Sequence, residues 1–330
     1  MGKSILIVGC GSIGERHLRC FKDTGRADVI ACEPNPGLLK RIEGQYGVAG
    51  RTSFGEAIAG QQFDGVVICT PAHTHIELAV AALRHGAAVF IEKPLGTTLD
   101  GIEELRGALA ESGRFAAVAY VYHLMPWIQG AREFLRSGEL GPPLHVSIVA
   151  GQHFPTFRPA YREIYYARHE SGGGAIQDAL THVANAIEWL VGPTDCVYCD
   201  AAHQALEGVN VEDTVNVLAR NGPALVNYAL NQFQAPNEMT VQVHCDGGSV
   251  RIEGHRQRWG VMRRGADTWE EHETAPMQRD DLFVAQANAF LDGMDGRPAV
   301  LSTVEEAVQT LKFNLAALES ARTGKAVDIR

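Results

Sequence analysis

Ser4-Ile5-Leu6-Ile7-Val8-Gly9-Cys10-Gly11-Ser12-Ile13-Gly14 decides how the chain is read. Ile5 to Val8 form a short run with no polar face, as a strand buried on both sides requires. The run stops at a G-x-G-x-x-G loop, and the residues near 12–24 read as a helix. Glycine at these positions lets the backbone turn tightly and approach a pyrophosphate with no Cβ in the way. The helix N-terminus then offers N–H groups and a partial positive charge to that anion. Gly9, Gly11, Ser12, Ile13 and Gly14 are therefore the expected cofactor contacts. Glu33 ends the next strand, where an acidic side chain binds adenosine ribose hydroxyls. A carboxylate there repels a 2′-phosphate, so NAD is expected over NADP. Cys10 reads as a small packing residue.

Outward from this loop, short apolar runs alternate with helical stretches. Ser4–Val8, Asp28–Glu33, Gly65–Cys69, Ala88–Glu92 and Phe115–Ala119 read as strands; segments near 12–24, 36–46, 74–85 and 99–112 read as helices. This alternation predicts βαβ units and a doubly wound parallel sheet. The texture changes after Tyr120. Pro142-Pro143 breaks the chain after a helix, and a strand at Leu144–Ala150 follows. An irregular segment, 151–174, is rich in aromatic and basic residues and ends Gly172-Gly173-Gly174. A helix near 176–191 precedes long runs at about 195–204, 211–220, 223–234 and 238–253, separated by turn residues; these predict an antiparallel meander. Helices near 281–293 and 303–322 close the chain. The expected organisation is residues 1–120 as a cofactor domain and 121–330 as an α/β domain for substrate and oligomerisation.

The bulk properties narrow the function classes. A chain of 330 residues exceeds what one core usually serves. The apolar fraction of 45% and charged fraction of 21% are those of a folded domain. A net charge of −10 leaves no cationic excess to neutralise phosphates, which argues against a nucleic-acid partner. No apolar run approaches the roughly 18 residues of a membrane helix, and no signal peptide is visible, so a cytoplasmic protein is expected. The seven scattered cysteines read as reduced thiols, and the pair Cys196 and Cys199 with His203 lacks a fourth ligand for zinc. No metal is expected.

Two further clusters carry chemistry. The stretch Val66-Val67-Ile68-Cys69-Thr70-Pro71-Ala72-His73-Thr74-His75 leads from a strand into a turn and a helix. After that helix, Ala88-Val89-Phe90-Ile91 ends in Glu92-Lys93-Pro94. Charged residues at the carboxyl end of a parallel strand stand where open α/β sheets place ligands.

The combination of Gly9-x-Gly11-x-x-Gly14-x-x-His17, Thr70-Pro71 with His75, and Glu92-Lys93-Pro94 resembles the glucose–fructose oxidoreductase / inositol dehydrogenase / MocA family. The C-terminal Glu319-Ser320-Ala321-Arg322-Thr323-Gly324-Lys325 is similar to that family's ending. The resemblance runs collinearly along nearly the whole chain. It implies an N-terminal Rossmann domain followed by an α/β domain with a large, mostly antiparallel open sheet, which commonly packs face to face in homodimers and homotetramers. It also implies that Gly172-Gly173-Gly174 leads into a catalytic helix bearing Asp178 and His182. Their spacing of four places them on one helix face.

The expected reaction is reversible oxidation of a secondary alcohol on a sugar, sugar acid, polyol or nucleotide sugar. His182 is the candidate base, because its ordinary pKa suits proton transfer near neutrality. Asp178 would orient it or the substrate, and Lys93 would stabilise charge on the reacting oxygen; the roles of Lys93 and His182 remain interchangeable at this level. Thr70, Pro71, His75, Glu92 and Lys93 join the expected cofactor contacts, Lys93 counting among the substrate contacts as well. His17 is read either beside the cofactor or at a helix–strand contact. Tyr122, His123, Arg158, Arg162, Tyr165 and Gln177 complete the expected substrate contacts, although His123 stands where the family more often has Arg or Asn. The basic residues of 153–169 suit an anionic substrate. Two other classes fit the same motifs: an NAD-dependent glycosidase that oxidises its substrate transiently, and a non-catalytic NAD-binding regulator.

Overall fold

Ile5, Leu6 and Ile7 have no exposed surface on strand β1 (Lys3–Val8), and the first unit is built around them. In the computed structural model, which describes residues 2–329, the chain forms two units. One comprises residues up to Leu124 with Gln278–Val308, and the other Met125–Met277 with the residues from Gln309 on.

In the first unit β1 is joined by β2 (Ala27–Cys32), β3 (Ala49–Arg51), β4 (Gly65–Ile68), β5 (Ala88–Ile91) and β6 (Ala116–Val118). They form one parallel sheet in the order β3-β2-β1-β4-β5-β6. The order reverses between β1 and β4, and the crevice at the carboxyl ends there is where doubly wound sheets bind ligands. The connecting helices are α1 (Ser12–Asp23), α2 (Pro36–Tyr46), α3 (Phe54–Gly60), α4 (His75–Arg84) and α5 (Ile102–Ser112). Local chemistry sets their ends. Asn35 Oδ1 accepts from the N–H groups of Gly37 and Leu38 at 3.0 and 3.1 Å, Pro36 occupies the first turn, and Gly47 closes α2 at φ +63°. β3 and α3 were not anticipated: Ala-Gly-Arg has no apolar run, and β3 exists because the edge of β2 pairs with it. A later helix, α9 (Arg279–Met294), packs with this unit, and Phe290 stacks on Phe90 with centroids 5.2 Å apart.

The second unit begins with α6 (Pro126–Arg136), includes the short α7 (Phe154–Phe157) and is dominated by one sheet. Its strands are β7 (Pro143–Gly151), β8 (Cys196–Ala202), β9 (Thr214–Asn221), β10 (Ala224–Asn231), β11 (Glu238–Cys245), β12 (Gly248–Glu253), β13 (Arg258–Arg263), β14 (Glu270–Glu273) and β15 (Val327–Asp328). The order is β14-β13-β12-β11-β7-β10-β9-β8-β15. Only β7 and β10 run parallel; the other neighbours are antiparallel. The expected meander is thus two meanders with β7 inserted between them. The run at 238–253 is a hairpin, β11 and β12. β13 and β14 escaped the reading: β14 is Glu-Glu-His-Glu, and the apolar Trp259, Val261 and Met262 of β13 are interrupted by Gly260 and flanked by Arg258, which lies opposite Glu273, and Arg263, which pairs with Glu270.

Alternation assigns the faces of this sheet. Val215, Val217 and Ala219 of β9 are buried, whereas Asn216, Leu218 and Arg220 are exposed. On the buried side lie α6, α8 (Thr181–Val191) and the second-unit part of α10 (Val304–Thr323), where Phe313 packs edge-on to Tyr228. Asn185 and Asn314 bond Thr310 and Thr181 between α8 and α10 at 3.0 and 2.9 Å. No described helix is long and apolar enough to cross a membrane.

Candidate active site

The glycine loop has a separate physical reason at each glycine. Gly9 sits at φ +83°, and a Cβ there would stand 2.9 Å from the carbonyl oxygen of Cys69. A Cβ on Gly14 would fall 1.8 Å from the Gly9 oxygen, so close packing of helix on strand excludes any side chain. A Cβ on Gly11 would meet nothing. Packing therefore does not demand glycine at Gly11, but close approach of a pyrophosphate does. The first turn of α1, at Ser12 and Ile13, carries no side-chain cap on its N–H groups, so donors remain for an anion. The residues fit a dinucleotide.

Glu33 is buried at the end of β2. Its two oxygens accept the N–H groups of Cys10 at 2.9 Å and Asn35 at 3.0 Å. A carboxylate offers about four acceptor positions, so these bonds fix it while leaving capacity for ribose hydroxyls. Cys10 is fully buried, and burial, with Glu33 nearby, pushes its thiol up to about 12. It is a packing residue, not a nucleophile.

The Glu92-Lys93-Pro94 turn ends β5, one strand from the β1/β4 crevice. Two histidines hold it. His17 of α1, with no exposed surface, places Nε2 2.7 Å from Glu92 Oε1 and is ringed by Phe90 and Phe283. Glu92 Oε2 accepts the Lys93 N–H at 3.0 Å. The two readings of His17 thus resolve to the helix–strand contact. His75, expected against the cofactor, is buried: its ring nitrogens lie 2.8 Å from the Thr70 carbonyl and 2.9 Å from that of Pro94. Burial pushes its pKa down, against the pull of those two carbonyls and of Glu92. His75 thus sits between the Thr70-Pro71 turn and the Lys93 turn, the single N–H of its neutral ring donating to one of the two carbonyls. Lys93 itself is half-buried, and Tyr122 and His123 lie in a 3₁₀ turn after β6, His123 deeply buried.

In the second unit the expected helix near 176–191 opens with a π-helical turn, Ile176–Leu180, before α8. Such turns are rare in helices and concentrate at functional sites. Asp178 lies in that turn with Oδ1 accepting the Tyr165 hydroxyl at 2.6 Å, and His182 is half-buried in the first turn of α8. Gln177 is buried, donating to the carbonyls of His169 at 3.0 Å and Gly173 at 3.3 Å. Arg162 donates from Nε to the Glu207 carbonyl at 2.7 Å and lies over Tyr161. Arg158 is partly exposed.

The segment 151–174 is not a solvated loop. Phe154, Tyr161 and Tyr166 are buried with Leu206, Val209 and Val211 in a small core of their own. The glycines ending it answer to that packing. A Cβ at Gly173 would stand 2.2 Å from the Tyr166 carbonyl oxygen, and one at Gly174, at φ +85°, 2.5 Å from Glu212 Oε1.

Sequence reasoning missed Glu212 and Asp213. Asp213 has no exposed surface and accepts the N–H groups of Gln204, Ala205 and Leu206 at 2.8–2.9 Å. Glu212 is nearly as buried, bonded to Ile176 N–H at 2.8 Å and His169 Nε2 at 2.5 Å. Two adjacent acids at the head of the alternating run Thr214–Ala219 were the available signal, since carboxylates are seldom buried without partners. Among the described residues, no group of three or more His, Cys, Asp or Glu is placed to hold a metal.

Comparison with known proteins agrees with the fold. Residues 3–120 match the family model described as an oxidoreductase family with NAD-binding Rossmann fold, and residues 128–251 match the C-terminal domain of the same family. The 1,5-anhydro-D-fructose reductase of Ensifer adhaerens is 25% identical over 84% of this chain and 83% of its own. An inositol 2-dehydrogenase of Rhizobium meliloti (strain 1021) is 24% identical over 96% and 93%. A solved levoglucosan dehydrogenase, in complex with NADH and levoglucosan, superposes with a TM-score of 0.89 over all of both chains at 20% identity. The solved WlbA dehydrogenase of Bordetella pertussis, in complex with NADH and UDP-GlcNAcA, gives 0.85 over 100% and 98% at 22%. With both domain models matched over most of its length, this chain belongs to the glucose–fructose oxidoreductase / inositol dehydrogenase / MocA family of NAD-binding oxidoreductases.

Proposed function

We propose that the protein catalyses reversible oxidation of a secondary alcohol on a carbohydrate-like substrate, with Lys93, Asp178 and His182 as its catalytic residues. The observation that carries this reading is the Lys93 turn. A cation is held at the carboxyl edge of β5 by two buried histidines, one bonded to Glu92 and one to the Pro94 carbonyl. A fold without chemistry at that edge has no need of such support.

NAD, when bound, supplies the hydride acceptor. The chain's own groups supply the rest. Lys93 donates a hydrogen bond to the reacting oxygen and stabilises charge as it develops there. His182 takes the hydroxyl proton. Asp178, its carboxylate fixed by Tyr165, orients His182 and the substrate. Glu33, at the ribose position, favours NAD over NADP.

Relatives act on an anhydro sugar and on inositol by their names, and solved neighbours hold levoglucosan or a UDP-sugar acid. A polyol, sugar, sugar acid or nucleotide sugar is the matching class. Arg158 and Arg168 are the cations of the aromatic segment toward an anionic group. Arg162 is a weaker candidate because Glu207 engages it. The exposed sheet face with Tyr198, Leu218 and Leu225 supports homodimer formation.

The test is a panel of such substrates followed by NADH absorbance. Net NADH formation is expected. NAD binding with substrate turnover but no net NADH would point to transient oxidation instead, and binding without turnover on the whole panel to a regulator.

A further inference from the structure

We propose that Glu212 is a positioning residue, a single buried carboxylate that locks the aromatic segment 154–173 onto the turn bearing Asp178. The inference rests on the reading above that this turn and segment form the substrate end.

Both carboxylate oxygens are committed, and to different elements. Oε1 accepts the Ile176 N–H at 2.8 Å, at the start of the π-turn, and Oε2 lies 2.5 Å from His169 Nε2 in the segment. The backbone carbonyl of Glu212 also accepts the Ala175 N–H at 2.9 Å. Gly174 lies so close to both carboxylate oxygens that no side chain fits between. The segment returns the contact: the His169 carbonyl accepts from Gln177, and Tyr165 donates to Asp178 at 2.6 Å. Glu212 therefore reaches Asp178 by two routes, through the helix start and through the segment. Glu212 makes these contacts from the turn two residues before β9, an element separate in sequence from both the segment and the π-turn.

The bond to Glu212 raises the pKa of His169, against partial burial, with Glu170 adding to the rise. Glu212 is faced by His169 from the segment, by Cys199 from β8 and by the Tyr166 hydroxyl; Asp178 and Asp213 also act on that hydroxyl. Below the raised pKa the His169 cation completes the lock. As pH rises through it the ionic part of the lock is lost, so order in the segment declines toward alkaline pH.

The test uses the full-length protein with Glu212→Gln, which keeps an acceptor for Ile176 but not the charge, and His169→Gln at a half-exposed position. Hydrogen-exchange protection of 165–177, read without substrate, is expected to fall in both, and the double variant to be no worse than Glu212→Gln. With a turned-over substrate, KM is expected to rise about tenfold with a smaller change in kcat and an unchanged NAD Kd. Wild-type KM and segment exposure are expected to increase as pH rises past the ordinary histidine range, and His169→Gln to be flat there. Unchanged protection in folded His169→Gln, or a Glu212→Gln that loses only melting temperature while its KM and its pH profile stay wild-type, would overturn the proposal. Absence of turnover in the wild type would count against the proposed reaction alone, because protection is read without it.

Discussion

Lys93 is the residue on which the chemistry turns, and its environment explains why it could be singled out early. It follows a fully buried β5 and is flanked by a glutamate and a proline, so its position is dictated by backbone and not by its own flexible stem. Lys93→Ala should abolish turnover while leaving NAD affinity nearly unchanged, as titration of the variant with NADH would show. Beneath it, the buried pair His17 and Glu92 should be costly to break. His17→Leu removes the partner of Glu92 Oε1 inside a buried site, and an equilibrium urea transition should show a loss of about 1–3 kcal/mol. Gly174→Ala meets both a left-handed backbone and the Glu212 carboxylate. It should lose about 1–3 kcal/mol or more, measured the same way. The glycine loop, Glu33 and the Lys93 turn were legible as residues because each sits at the end of a strand readable from its own apolar run. Glu212 was not, because its partners lie 36 and 43 positions away.

Elements whose evidence is local were readable, and those made by a distant partner were not. β1 and α2 announce themselves through an unbroken apolar run and an Asn-Pro start with a glycine stop. β3 and β14 have no such signal and β13 only one broken by Gly260, and pairing with neighbouring strands completes all three. The π-turn at Ile176–Leu180 falls in the same class: the spacing of Asp178 and His182 suggested a regular helix, and contacts from Glu212 and Tyr165 accompany the departure from it. The turn before β9 gives a testable pH effect. Burial pushes the Asp213 carboxyl up, but the N–H groups of Leu206, Ala205 and Gln204 and the Thr214 hydroxyl overrule it and lower the pKa. Its contribution to stability should be complete above the ordinary carboxylate range and be lost as pH falls through the lowered value. Asp213→Asn should therefore destabilise at pH 7, with the difference from wild type shrinking below about pH 4, as denaturant midpoints across pH would report.

On the scale of the whole molecule, the class of each sheet followed from rhythm alone: helices alternating with short apolar strands for the first, long alternating runs for the second. The insertion of β7 between two meanders did not, because strand order is a long-range property. The open face of the second sheet presents Leu218 at 62% exposure beside Tyr198 and Leu225. Leu218→Glu should shift the sedimentation coefficient toward the monomer if that face joins two copies, and an unchanged coefficient would place the contact elsewhere. The central claim is that this family member performs net redox chemistry through Lys93. It is tested most directly by NADH absorbance on a panel of polyols, sugars, sugar acids and nucleotide sugars with wild type and Lys93→Ala side by side. Stoichiometric NADH formation by the wild type on at least one of them is expected, and none by the variant, with NAD still bound. Near-normal turnover by Lys93→Ala would contradict it.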